Sequence, residues 1–125
     1  IIDACCMEIA AASERHVSLI ASEGTIQSRV FHQALQPYGI EVSVPVAEQY
    51  LKQRELIEAV KQNRITGETL DAFVQMIRSF SGDALILGCT EFPVLFSRLP
   101  EDTLQGIRVY DPLRSAIKVL QAECK

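Results

Sequence analysis

No apolar run in this 125-residue chain approaches the roughly 20 residues that would span a bilayer. No basic stretch followed by an apolar one marks a signal peptide. Charge of one sign never gathers into a block: 12 Lys and Arg against 16 Asp and Glu leave a net charge of −4. Such mild acidity disfavours nucleic acid or an anionic membrane as the main partner, since neither would be attracted electrostatically. Internal repeats and low-complexity stretches are absent. Cysteine is sparse, with Cys5 and Cys6 adjacent, Cys89 isolated and Cys124 near the end. That spacing is neither a disulfide framework nor a zinc pattern. Free thiols in a reducing cytosol are therefore expected, which places the chain in the cytoplasm.

What is present describes an ordinary globular chain. Hydrophobic residues make up 48% and charged residues 22%, in a length suited to one domain, 1–125, with a core of its own. The chain opens on Ile1-Ile2-Asp3 without an initiator Met, an opening expected of a fragment.

The most informative stretch runs from Asp83 to Glu91. Ala84 to Leu87 are apolar without polar alternation, as in a strand buried on both faces of a parallel sheet. Gly88 allows a tight turn. Cys89, Thr90 and Glu91 follow at the strand's carboxyl end, where open α/β sheets place their ligand sites. A lone cysteine after a strand is more often a small core residue, but a thiol, a hydroxyl and a carboxylate together are costly to explain as packing.

The remaining elements follow in order. Asp3 is suited to cap a helix over 4–13, in which Cys5 and Cys6 serve as packing residues. A strand over 16–21 ends in Ser22, Glu23, Gly24 and Thr25, ahead of an amphipathic helix over 26–36. Backbone N–H groups at such a helix start favour an anion, to which Ser22 and Thr25 can donate. Thr25 either caps this helix or both caps it and meets a ligand, and the two readings stay open. His16 and His32 lie away from the strand tips and read as surface or edge residues. Gly39, after Pro37, suits a left-handed helix end.

A strand over 40–44 stops at Pro45. In the helix over 47–63, Tyr50, Leu51, Leu56, Ile57 and Val60 form the buried stripe, with Lys52 and Arg54 on the solvated face. Either cation is a candidate for a substrate carboxylate. Leu70, Phe73, Val74, Ile77 and Phe80 mark the core face of the next helix, which Ser81-Gly82 ends. After the central strand come a short helix over 92–96, a polar loop over 101–106, a strand over 107–110 tipped by Asp111, and a helix over 113–122 with Leu113, Ile117 and Leu120 on one side. Four strands alternating with helices imply an α/β fold: a four-stranded parallel sheet with helices on both faces. Right-handed crossovers then bring the tips near Ser22, Cys89 and Asp111 to one edge.

Several of these segments together resemble the aspartate/glutamate racemase superfamily. Leu19-Ile20-Ala21-Ser22, then Gly24-Thr25 and Ser28, look like a family segment that usually reads Leu-Ala-Thr followed by Gly-Thr. Gly39-Ile40-Glu41-Val42 with Pro45 are similar to the next strand and its stop. Gly88-Cys89-Thr90-Glu91 is similar to the family's most specific motif, and Asp111 with its helix to the family's ending. Ser22 departs from the usual Thr, keeping the hydroxyl and losing the methyl.

The resemblance implies one lobe of a two-lobe, pseudo-symmetric racemase fold in which each lobe supplies one cysteine and neither cofactor nor metal takes part. This chain looks like the second lobe, with a small-molecule amino-acid substrate and the missing first lobe as its partners. Cys89 would then be one of two proton-transfer residues, with Ser22, Gly24, Thr25, Thr90 and Glu91 binding substrate. Removing an α-proton from one face and returning it from the other needs a thiolate and a thiol. A free thiol titrates at roughly 8.5, so the site is expected to favour the thiolate, helped by N–H groups after Cys89. Glutamate-specific members usually carry His at the position of Glu91, so Glu91 tilts the preference toward aspartate or a broader set. With one base, this chain alone is expected to be inactive, unless two copies pair face to face as a homodimer. The alternatives are a related isomerase, decarboxylase or hydantoin racemase, and a non-catalytic α/β ligand-binding or assembly module.

Overall fold

The computed structural model describes residues 2–80, 84–100, 102–104 and 106–123, with the side chains of 2, 47, 118, 119, 122 and 123 left undescribed. The elements, in order, are α1 (Ile2–Ala11), β1 (His16–Ile20), α2 (Glu23–Ser28), α3 (Val30–Leu35), a 3-10 turn (Gln36–Tyr38), β2 (Glu41–Ser43), α4 (Ala47–Lys61), α5 (Gly67–Arg78), β3 (Ala84–Leu87), α6 (Glu91–Ser97), β4 (Arg108–Tyr110) and α7 (Pro112–Glu123). The expected helix end at Ser81-Gly82, together with Asp83 and Cys124, lies outside the described residues.

The four strands pair in parallel in the order β2-β1-β3-β4. Register places Ser18 beside both Ser43 and Leu85, and Ile86 beside Tyr110. Parallel pairing puts every carboxyl tip on one edge. The sheet separates two cores, and neighbouring strand residues face opposite ways. Leu19 and Ile86 join Cys5, Cys6, Ile9, Phe31 and Leu35 on the side of α1 and α3. Ile20, Leu85 and Leu87 join Leu56, Phe73, Ile77, Phe92 and Leu95 on the side of α4, α5 and α6. All four residues of β3 are buried, which explains why that strand lacks polar alternation. Cys5 and Cys6 pack as expected, fully buried at 0% and 2% exposure.

Local chemistry sets several boundaries. In α5 the Thr66 hydroxyl accepts from the Thr69 N–H at 3.3 Å while the Thr69 hydroxyl accepts from the Thr66 N–H at 3.2 Å, so both donors are satisfied. Phe73, Met76 and Ile77 then bury one face. Gly39 takes the left-handed conformation, φ 70°, at the end of the 3-10 turn. Stacked rings of Phe73 and Phe92, centroids 5.9 Å apart, tie α5 to α6 and so to the helix that follows Cys89.

Three local expectations need correction. Asp3 lies inside the first turn of α1 rather than capping it. The helix expected over 26–36 starts earlier and is split by Arg29, a left-handed residue with φ 58°, whose N–H closes α2 on the Ile26 carbonyl and whose own carbonyl opens α3. On α4, Leu51 points outward at 59% exposure, and Gln53 takes its place in the core at 1%. On α7, Leu113, Ile117 and Leu120 share one side as expected, and that side is exposed; the helix turns Pro112 and Ser115 inward, and Ser115 donates to the Glu8 carboxylate of α1. Among the described residues, no helix is long and apolar enough to cross a membrane.

Candidate functional site at the strand tips

Gly88 makes the β3 tip possible. Its N–H donates to the Ile20 carbonyl at 2.7 Å. A β-carbon added there would lie 2.8 Å from Cβ of Ala21 and 2.9 Å from Cδ1 of Leu19, so only a residue without one lets the two tips approach this closely. Cys89 comes next, half-buried, and the first turn of α6 begins two residues later.

The Cys89 thiol is pushed up to about 11, first by burial. Backbone N–H groups of Phe92 and Glu91 offset part of that by hydrogen bonding to the sulfur. Glu91 opposes them through its negative charge and a side-chain hydrogen bond. The helix-start donors anticipated from sequence are present, but burial and Glu91 outweigh them and push the Cys89 thiol toward its neutral form. The Thr90 hydroxyl donates to the Glu91 carboxylate at 3.1 Å. Cys89 and Thr90 line a cavity of about 230 Å³ with Leu87, Gly88, Pro93, Asp111, Pro112 and Leu113. One Asp111 carboxylate oxygen accepts from the Leu113 N–H at 3.1 Å. The volume lies below the roughly 300–1,000 Å³ of a drug-sized ligand site.

The neighbouring β1 tip is built differently from its sequence reading. Ser22, not Thr25, caps α2: its hydroxyl oxygen accepts from the Thr25 N–H at 3.4 Å and lies 3.0 Å from the Thr25 hydroxyl. The Ser28 hydroxyl donates to the Thr25 carbonyl at 2.7 Å. Gly24 is exposed in the first turn, with nothing near the position a β-carbon would take. Ser22 lines a separate cavity of about 180 Å³ with Glu23, Gln53, Arg54, Ile57, Glu58 and Lys61. Ser22, Gly24 and Thr25 thus occupy the tip beside that of Cys89, Thr90 and Glu91, but Ser22 lines one hollow and Cys89 and Thr90 another, while Gly24, Thr25 and Glu91 line neither.

Both cation candidates on α4 are engaged: Arg54 donates through Nε to Glu23 at 2.9 Å, and Lys52 lies 3.6 Å from Glu55. His16 sits at the start of β1, hydrogen-bonded to Ser43. His32 lines an open hollow along the edge strand β2, away from the cysteine. Gln53, missed in sequence, accepts the Ala21 N–H at 3.1 Å. A signal was there: Tyr50, Gln53, Leu56 and Val60 fall at helical spacing, so a polar residue sits on the apolar stripe. Among the described residues, no group of three or more His, Cys, Asp or Glu side chains could hold a metal ion.

Fold and tips together define a parallel α/β lobe that presents a thiol, a hydroxyl and a carboxylate at adjacent strand ends. The chain belongs to the Asp/Glu/Hydantoin racemase family, whose model matches residues 1–120. It is 32% identical over 111 residues to a glutamate racemase of Aquifex aeolicus, covering 86% of this chain and 41% of that protein. With a glutamate racemase of Koribacter versatilis it shares 29% over 118 residues, covering 89% and 38%. Among solved structures it is similar to the Picrophilus torridus aspartate racemase, with TM-score 0.67 and 26% identity over 88% of this chain and 45% of that one. A Pyrococcus horikoshii aspartate racemase homologue shares the fold, with TM-score 0.74 and 24% identity over 99% and 55%. The chain thus spans about two fifths of the length of these curated relatives.

Proposed function

We propose that the chain is the lobe carrying the second of two thiols in a cofactor-independent racemase of acidic amino acids, of the aspartate type. The observation that carries this reading is the half-buried Cys89 thiol at a strand tip, in an open cavity shared with Thr90 and Asp111. Cys89 gives its proton to the α-carbon from one face after a base on the other lobe has removed one, and the resulting thiolate is the base for the reverse direction. A thiol that rests protonated suits the first of these steps. Thr90 and Thr25 hold carboxylate oxygens of the substrate, with Ser22 and the open backbone at Gly24 beside them. Glu91 meets the ammonium and favours aspartate or a broader set over glutamate alone.

The share of the relatives covered supports a further lobe in the working protein, as does the exposed stripe of Leu113, Ile117 and Leu120, the first of which lines the cavity. Without that lobe the chain lacks its first base and is inactive. In the full-length protein, Cys89→Ala abolishes racemisation of aspartate and glutamate while the circular dichroism and melting point stay close to wild type. Near-normal turnover by that variant would refute the assignment.

A second reading, a non-catalytic α/β module, is favoured by the small cavity at Cys89, whose volume of about 230 Å³ lies below that of an ordinary ligand site. That reading predicts that Cys89→Ala leaves ligand binding and every measurable activity of the full-length protein unchanged.

A further inference from the structure

We propose that Gln53 is a positioning residue which, through Ala21, sets the spacing between the tip carrying Ser22 and the tip carrying Cys89. Gln53 is a buried amide on α4, flanked in sequence by the exposed Lys52 and Arg54. Its Oε1 accepts the N–H of Ala21 at 3.1 Å. Ala21 is the first residue beyond β1 and is fully buried, so its N–H has left the strand while remaining out of water. An N–H buried without a partner is costly, so the segment is anchored where Gln53 meets it.

The opposite side of Ala21 is equally constrained. Gly88 is bonded to Ile20 at 2.7 Å, and its missing side chain is the space Ala21 fills. Ala21 is therefore held between an amide on α4 and the backbone of the β3 tip. A shift at Ala21 presses on Gly88, directly before Cys89, and carries along Ser22, which caps the helix bearing Thr25. The inference rests on the reading of Cys89 as a proton-transfer residue, because its consequence is the placement of that thiol against the substrate's carboxylate site. Displacements near 1 Å can cost about a hundredfold in rate, so a clamp of this kind matters without touching substrate.

Two experiments test it. Amide hydrogen exchange on the 125-residue chain should protect the Ala21 N–H as strongly as its neighbours in β1; exchange at the rate of an exposed loop amide overturns the clamp. In the full-length protein, Gln53→Leu should lower kcat about tenfold to a hundredfold with the fold retained, and Gln53→Glu, which keeps a carbonyl-type acceptor, should restore most of it. A mere packing role reverses that order, because Leu fills the volume while Glu introduces a buried acid. Wild-type kcat in Gln53→Leu overturns the proposal even where Cys89→Ala abolishes turnover. Cys89→Ala with full turnover would instead sink the underlying reading and leave the Ala21 exchange result to decide the clamp. Should Gln53→Leu fail to fold, the same exchange measurement decides.

Discussion

Cys89 differs from the other described thiols in access rather than in acidity. Burial raises Cys5 to about 12, Cys6 to about 11 and Cys89 to about 11, yet only Cys89 is half-exposed. The thiolate is the reactive form, and burial leaves Cys89 mostly protonated near neutral pH. In a Cys124→Ser background, alkylation by iodoacetamide should therefore label Cys89 alone, its rate rising about tenfold per pH unit from pH 7 to 9 without levelling. A plateau near neutral pH would show that burial and Glu91 do not control the thiol as described. Glu91→Gln should shift the whole profile to lower pH, since Glu91 raises the thiol by both its charge and its hydrogen bond.

Legibility at this scale divided along clear physical lines. The placement of Cys89, Thr90 and Glu91 at a strand end was legible because a thiol, a hydroxyl and a carboxylate directly after an apolar run do not fit a packed core. Assigning the cap to Ser22 rather than Thr25 could not be done, because both hydroxyls suit a helix start and only the backbone path chooses between them. Gln53 showed on the apolar stripe of α4 as a polar residue out of place, but its partner, the Ala21 N–H, is far away in sequence and could not be read. The direction of the Cys89 pKa was unreadable as well, because burial depends on tertiary packing.

Among the elements, the connection from α1 to β1 is tied to the far edge of the sheet by one carboxylate. Glu14 accepts from Arg108 Nε at 2.6 Å and from a second Arg108 nitrogen at 2.8 Å, and from the Tyr110 hydroxyl at 2.9 Å. Chiefly the Arg108 hydrogen bonds, against some desolvation, hold its carboxyl below the ordinary 4.5. A depressed carboxylate pKa adds stability that is fully present above the unfolded value and lost as pH falls through the folded one. Glu14→Gln should accordingly cost about 1–3 kcal/mol at pH 7. The gap to wild type should narrow once the pH drops below 4.5. Urea titrations at the two pH values would show this, and an equal gap at both would contradict it.

Sequence patterning recovered the order of strands and helices because buried parallel strands and amphipathic helices leave opposite signatures. It missed the break at Arg29, where neither glycine nor proline marks the left-handed turn. Arg29 keeps that conformation because α2 must close on Ile26 before α3 can turn Phe31 and Leu35 into the core. The stripe of α7 was legible as a stripe but not in direction, since spacing alone does not say whether an apolar face meets this lobe's core or lies open.

At the scale of the whole molecule, the two hollows at the tips, the thiol resting protonated and the exposed α7 stripe all fit one half of a divided site. A two-base exchange needs groups on both faces of the α-carbon, and one sheet edge supplies one face. On the function proposed above, this chain provides the second proton donor and does no chemistry unaided. Proton NMR of L- and D-aspartate and of L- and D-glutamate in D₂O tests it most directly, with the 125-residue chain and the full-length protein side by side. The α-proton signal should be lost with the full-length protein only, fastest for aspartate. Exchange by the 125-residue chain would contradict the half-site and point to a homodimer sharing two copies of Cys89, while no exchange from either would contradict the racemase reading itself.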